Sequence, residues 1–263
     1  MKLDQAVGRA VCRPTDIDLR LESRVSLPPT AGHEAPEASP IAPSNFLTRL
    51  LPADLRALEA IGAAARFSRG EYVYRAGEAG DDAYVLRTGQ VKIHQLSLAG
   101  REVILWFCLP GEIFGLAEAT RGGPRAVSAQ ACVGSEVLAV PRPAFQRLLA
   151  QRPEVAFLTM QVLSARMRIL GEIFVNLVSD DVATRIAKLI VRLAAQYGAR
   201  AGKDIVLDIP LTHQEIADMV GTSRQTVTSA LSALNRQGVL SINHRRICIQ
   251  SPELLSGLAR EST

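Results

Sequence analysis

Hydrophobic and polar positions change rhythm twice along this chain. Leu51, Leu55, Leu58 and Ile61 recur at three- and four-residue steps, which predicts a short helix from about Leu50 to Ile61. Between Phe67 and Val140 the period shortens. Runs at 71–74, 83–86, 91–94 and 103–107 are separated by Gly70, Gly77, Gly80, Gly89, Gly100 and Gly111. Many short strands closed by glycine turns predict a barrel or roll. After Pro153 the period becomes helical. Leu158, Val162, Ala165, Ile169, Ile173 and Leu177 form one stripe, with Met160, Leu163, Met167, Leu170 and Phe174 beside it. A helix apolar over more than one face has enough surface to cover the roll and to pair with its own copy, so the first stripe is the expected dimer seam. The alternative is burial in the core alone. Asp180-Asp181 supplies a cap for a further helix, Val182 to Tyr197, whose Ile186, Leu189, Ile190 and Leu193 mark a new core.

Two short helices sharing one turn follow. Thr212-His213-Gln214-Glu215 has capping-box spacing, in which hydroxyl and carboxylate each satisfy an orphan backbone donor. The helix runs to Gly221, a residue suited to the positive φ of a tight turn between crossing helices. Thr222-Ser223-Arg224-Gln225 repeats the cap spacing and begins the second, with Val227, Ala230, Leu231 and Leu234 inward and Gly238 at its end. On a helical wheel Gln225, Thr228, Ser229 and Ser232 face outward and Arg224 lies on the flank. Arginine can donate two hydrogen bonds to guanine, and glutamine can pair with adenine in the major groove. Residues 239–242 and 246–249 predict a β-hairpin wing. The candidate DNA contacts are Thr212, Gln214, Thr222, Ser223, Arg224, Gln225, Thr226, Thr228 and Ser229, with His244 and Arg245 at the wing tip. The alternative for such a winged helix is a protein-interaction module.

Charge strengthens the DNA reading locally. The net charge of +4 is mild, but no Asp or Glu occurs from Met219 through Pro252, where Arg224, Arg236, Arg245, Arg246 and His244 lie. Residues 1–44 lack aromatic residues and hold six of the 14 prolines (Pro14, Pro28, Pro29, Pro36, Pro40 and Pro43), which predicts a disordered tail. The expected domains are that tail, a roll over 45–152, a long helix over 153–179 and a winged helix-turn-helix over 180–263. The fold class is α+β. Cys12, Cys108, Cys132 and Cys248 are dispersed and fit a reducing compartment rather than a disulfide framework or a zinc site. No run approaches 18 uninterrupted apolar residues, and the N-terminus lacks a basic region followed by an apolar core. The expectation is a soluble cytoplasmic protein with no membrane contact. No nucleophile triad, metal-ligand cluster or P-loop is present, so an enzyme is not expected.

Two signatures in order resemble the Crp/Fnr family of bacterial regulators, over roughly Phe46 to Pro252. One is the cyclic-nucleotide-binding-type roll, in the runs at 70–78, 84–93 and Pro110-Gly111-Glu112-Ile113-Phe114-Gly115. The other is Gln214-Glu215-Ile216-Ala217 with Gly221-Thr222-Ser223-Arg224-Gln225-Thr226-Val227. The resemblance implies a homodimeric transcription regulator, commonly an activator, acting on two-fold symmetric double-stranded DNA with RNA polymerase as protein partner. It also implies effector sensing in the roll, coupled to the DNA-binding heads through a hinge near Asp181.

The residues that hold cAMP in the family are mostly replaced here. Leu116 stands where the ribose-binding glutamate is expected, with Glu118 two places on. The arginine-serine pair reads Arg125-Ala126, and the long helix offers Leu170-Gly171 for the adenine hydroxyls. The candidate effector pocket is Gly115, Leu116, Ala117, Arg125, Ala126 and Leu170, with an effector other than cAMP. Arg125 either meets another anion or is ion-paired or exposed. The recognition helix departs too, with Gln225 where the cAMP-responsive members have glutamate and Ser229 where they have a second arginine. With only Cys12 in the tail, an iron–sulfur cluster is not expected, and no metal site or other cofactor is predicted. Haem remains open through a single axial ligand, His94, Cys108 or Cys132. The competing expectation places His94 toward solvent and both cysteines in the core.

Overall fold

The computed structural model describes residues 46–207, 209–243 and 246–260. The expected tail, and His244 and Arg245 at the wing tip, lie outside the described residues. Two short helices, α1 (Phe46–Arg49) and α2 (Pro52–Ile61), open the described chain. The roll follows as β1 (Ala63–Phe67), β2 (Tyr72–Tyr74), β3 (Asp82–Thr88), β4 (Val91–Leu96), β5 (Glu102–Cys108), β6 (Ile113–Phe114), helix α3 (Leu116–Arg121), β7 (Ser128–Ala131) and β8 (Ser135–Pro141). Helix α4 (Arg142–Gln151) leads into the long helix α5 (Pro153–Ser179). The C-terminal part is α6 (Val182–Tyr197), β9 (Gly198–Ala201), β10 (Asp204–Leu207), α7 (His213–Val220), α8 (Arg224–Arg236), β11 (Leu240–Asn243), β12 (Arg246–Ile249) and α9 (Pro252–Arg260).

The roll closes two four-stranded antiparallel sheets, in the orders β1-β8-β3-β6 and β2-β7-β4-β5, over one core. Tyr74, Leu86, Val91, Ile93, Phe114 and Val137 fill the space between them. Alternation along the strands supplies those inward side chains. Gly89 turns β3 into β4 at φ +94°, and a Cβ there would overlap the Ser135 hydroxyl and the Gly134 carbonyl. On the outer side of the first sheet, Leu58, Leu116, Ala119, Phe145 and Leu148 form a second core.

The long helix divides into halves by burial. Val155, Leu158, Thr159, Val162, Ala165 and Arg166 are buried against the rest of the chain, and beyond Arg166 no residue of α5 is buried. Three of the six residues expected at the dimer seam, Leu158, Val162 and Ala165, are thus already covered by the chain's own roll. A helix docked on a roll must spend one apolar face on it, and Leu158 and Val162 lie on that face. Ile169 and Ile173 are half-buried and Leu177 is exposed. The large apolar residues left in solvent are Phe157, Met160, Leu163, Met167, Leu170, Phe174, Val175, Leu177 and Val178.

Other differences have physical causes. The helix expected from Leu50 starts at Pro52, since proline lacks the N–H that an interior turn needs and suits the first turn. His94, expected to face solvent, is buried. β4 keeps its alternation, pairing with β7 without a break, and the extra residue of the β4–β5 shift is Leu105 of β5. His94 therefore lies on the face of its partner Ile104, opposite to Ile93. That outer face is covered because Ile104 and Phe107 on it pack into the C-terminal core.

Candidate functional site

The helix-turn-helix is built by its caps. The Thr212 hydroxyl accepts from the Glu215 N–H at 3.1 Å, and the Glu215 carboxylate accepts from the Thr212 N–H at 2.7 Å. Gly221 ends α7 at φ +71°, the left-handed geometry that lets the chain turn at once into α8. Ser223 caps α8 by accepting from the Thr226 N–H. Val227 and Leu231 are buried against Ile216, Ala217 and Val220, which fixes the angle between the helices.

That angle leaves one face of α8 in solvent. Arg224, Gln225, Thr226, Thr228, Ser229 and Ser232 are all exposed. Several candidate contacts are already engaged. The Ser223 and Thr226 hydroxyls share a hydrogen bond, Thr228 donates to the Arg224 carbonyl, and Gln214 donates to Asp218. His213 was missed as a candidate. Its Nδ1 lies 2.8 Å from the Thr228 hydroxyl, tying the start of α7 to the face of α8. Its only sequence signal was its place just after a cap. Thr212 and Thr222 are half-buried at the two helix starts.

The candidate effector residues form a filled site. Arg125 is buried. Its Nη1 donates to the Gly115 carbonyl at 3.0 Å and faces Glu118 Oε2 at 3.4 Å, and its Nη2 donates to the Asp82 carbonyl at 2.6 Å. The guanidinium lies 4.1 Å above the Tyr74 ring. Burial pushes the Tyr74 phenol well above its ordinary range, against the opposing pull of Arg125. Leu116 is buried in the outer core, while Ala117 is exposed. Leu170 belongs elsewhere. It is exposed on the half of α5 that has left the roll, so it does not line this site within the chain.

Roll and DNA-reading part are joined by contacts that the sequence did not signal. Ile104 and Phe107 of β5 enter the core of the C-terminal part beside Ile186, Leu189 and Ile216. A buried polar network accompanies them. Glu112 pairs with Arg166 of α5, and Tyr197, the last residue of α6, donates to Glu112 Oε1 at 3.1 Å. Burial pushes the Glu112 carboxyl and the Tyr197 phenol up, and pushes the Cys108 thiol beside Arg166 up to about 12. Such a thiol stays protonated and unreactive at neutral pH. Cys132 is half-buried, its thiol likewise pushed to about 12 by burial. Among the described residues no three His, Cys, Asp or Glu side chains converge as metal ligands.

Comparison with known proteins gives the same division of the chain. Residues 64–152 match the family model of the cyclic nucleotide-binding domain, and residues 184–258 match that of the Crp-like helix-turn-helix domain. A CRP-like cAMP-activated global transcriptional regulator of Mycobacterium tuberculosis is 33% identical over 74% of this chain and 87% of its own. The global nitrogen regulator of Synechococcus elongatus is 28% identical over 73% of this chain and 87% of its own. Among solved structures, FixK2 from Bradyrhizobium japonicum aligns with a TM-score of 0.69 and 25% identity, covering 77% of this chain and 100% of that one. With both domain types in this order and a relative of this similarity, the chain belongs to the Crp/Fnr family of transcriptional regulators, and its C-terminal part is a Crp-like helix-turn-helix DNA-binding domain.

Proposed function

We propose that the chain works as a homodimer that reads two-fold symmetric DNA with α8, most commonly to activate transcription, without cAMP as its signal. The observation that carries the reading is the coexistence of two unpartnered faces on one chain. One is the exposed, acid-free polar face of α8. The other is the exposed apolar strip of α5 from Met160 through Phe174 to Val178. Large apolar strips of this kind mark association surfaces, and α5 has the period and length of a helix that pairs with its copy. Two heads held by such a seam meet half-sites one helical turn apart.

Arg224 and Gln225 are the base-reading candidates, because both are exposed and neither takes part in a side-chain hydrogen bond among the described residues. Thr212, Ser223 and Thr226 serve the caps, the Thr212 N–H donating to the Glu215 carboxylate and the Thr226 N–H to the Ser223 hydroxyl, so they set the helix starts rather than read bases. RNA polymerase is the expected protein partner, and catalysis has no part in the reading. The cAMP-activated relative leads to an opposite expectation for this roll. Here the ribose acceptor is Leu116, the second phosphate donor is Ala126, and Leu170 offers no hydroxyl. Each missing contact costs about 1 kcal/mol or more, together enough to remove useful affinity. A gel shift with genomic fragments tests the DNA reading. It should give a specific shifted fragment that survives competitor DNA, and a shift abolished by any competitor would favour a protein-interaction role. Calorimetry with cAMP should show no binding in the micromolar range.

A further inference from the structure

We propose that Glu118 is a tethered ligand of the roll. Its carboxylate occupies the anion seat made by the Arg125 guanidinium and the Ala126 N–H, so the roll holds a liganded arrangement without an anion from solution. The proposal rests on the reading of the chain as a DNA-binding regulator. Three features of the seat carry it.

The first is burial. Glu118 and Arg125 are each 3% exposed. Withdrawing two charges from water is costly, and such a pair persists only when its remaining donors and acceptors are met. Here they largely are. Arg125 donates to the Gly115 and Asp82 carbonyls as well as facing Glu118 Oε2, and the Ala126 N–H donates to Glu118 Oε1 at 3.3 Å. A guanidinium and a neighbouring backbone N–H, each on a different oxygen of one anion, form a charge-assisted donor set suited to a carboxylate or phosphate alike. Arg125 Nε has no hydrogen-bond partner among the described residues, so a further oxygen could be held there once the tether is gone.

The second is space. A Cβ at Gly80 would overlap the Glu118 side chain, and one at Gly115 would stand 3.0 Å from Arg125 Nη1. The backbone is cut back on both sides of the pair.

The third is connection. Glu118 lies in α3, whose Leu116 and Ala119 sit in the outer core with Phe145 and with Val155 and Leu158 of α5. Arg125 is bonded to β3 through Asp82 and to the turn before α3 through Gly115. The pair therefore fixes where α3 stands, and α3 helps seat the roll-bound half of the long helix.

Removing the tether and supplying its chemistry as a free ion tests this. Full-length wild type, Glu118→Ala and Glu118→Gln would be compared for thermal unfolding and for affinity to DNA selected by the wild type, in sodium acetate and in sodium chloride at equal ionic strength. Wild type should be indifferent to the exchange. Glu118→Ala should lose about 5- to 150-fold in DNA affinity, the usual range of coupling between sites, and should regain it and its melting temperature in acetate but not in chloride. Glu118→Gln, which fills the space without the charge, should lose affinity and gain nothing from acetate. A folded Glu118→Ala with wild-type affinity, or with a loss that acetate does not recover, overturns the proposal. Should Glu118→Ala fail to fold in both salts, Glu118→Gln decides, and wild-type affinity in that variant overturns it. If the wild type selects no DNA, the regulator reading fails by itself, while acetate-specific recovery of the melting temperature still reports on the tether.

Discussion

Arg224 stands free at the first turn of α8, and its exposure leaves its five donors available to a guanine edge. Arg224→Ala should cost about 1–3 kcal/mol of DNA binding and relax one position of each half-site, read by binding-site selection with the variant. An unchanged preference removes Arg224 from base reading. His94 makes a prediction in pH. Burial holds its imidazole below the ordinary histidine range, against the pull of Glu102 and with the push of Lys92. Its Nδ1 lies 3.2 Å from Glu102 Oε2 but is out of line for a hydrogen bond, and the Tyr72 ring stands at 5.9 Å. The unfolded chain thus takes up a proton near pH 6.5 that the folded chain resists. His94 should contribute stability above that pH and lose it as the pH falls, so denaturant midpoints should drop from pH 7 to 5, less steeply in His94→Gln. Residues governed by local chemistry were legible in the sequence: the caps Asp181 and Thr212 and the turn glycine Gly221. The cap spacing Thr222 to Gln225, by contrast, placed the start of α8 one residue early, since Ser223 is the residue that accepts from the Thr226 N–H. The burial of His94 was not legible, because the outer face of β4 is covered by a part of the chain far away in sequence, which leaves no mark on the local period.

At the scale of elements, the roll strands β2 to β5, the long helix and the two helices of the DNA-reading unit were legible, since each carries its own period and its own stop signals, while β1, β6, β7 and β8 were not distinguished individually. The short helix α3, the helix α4 and the hairpin β9–β10 were not legible. Six residues are too few to establish a helical period, and α4 holds Pro143 in its own first turn and is followed by Pro153, so its prolines read as breaks. The apolar width of α5 pointed to two partners, but which stripe faced which depended on how the helix sits on the roll. Its free strip predicts that Met167→Glu combined with Phe174→Glu abolishes the dimer. Both side chains are exposed in the single chain, at 74% and 68%, so folding of the subunit should change by no more than about 0.5 kcal/mol per site. Sedimentation should then give a folded monomer. A variant that still sediments as a dimer would place the seam elsewhere.

For the whole molecule, the junction of roll and DNA-reading part could not be read from the sequence, because it forms between residues nearly a hundred positions apart. Tyr197 reaches Glu112 across 85 residues, and Arg166 closes the network from α5. Ile104 and Phe107 complete the core beside it. Tyr197→Phe leaves a buried carboxylate oxygen without its donor, which should cost about 1–3 kcal/mol in chemical denaturation. No loss would mean that the two parts are joined by apolar contact alone. In the proposed reading, the roll, the half-covered helix and the capped, exposed reading helix together serve paired recognition of DNA. The most direct measurement is selection from a random duplex pool by the purified full-length protein, with no nucleotide added. Enrichment of two inverted half-sites centred about 10–10.5 base pairs apart is the predicted result. A pool that stays random, or that enriches a single half-site without a symmetric mate, contradicts the account.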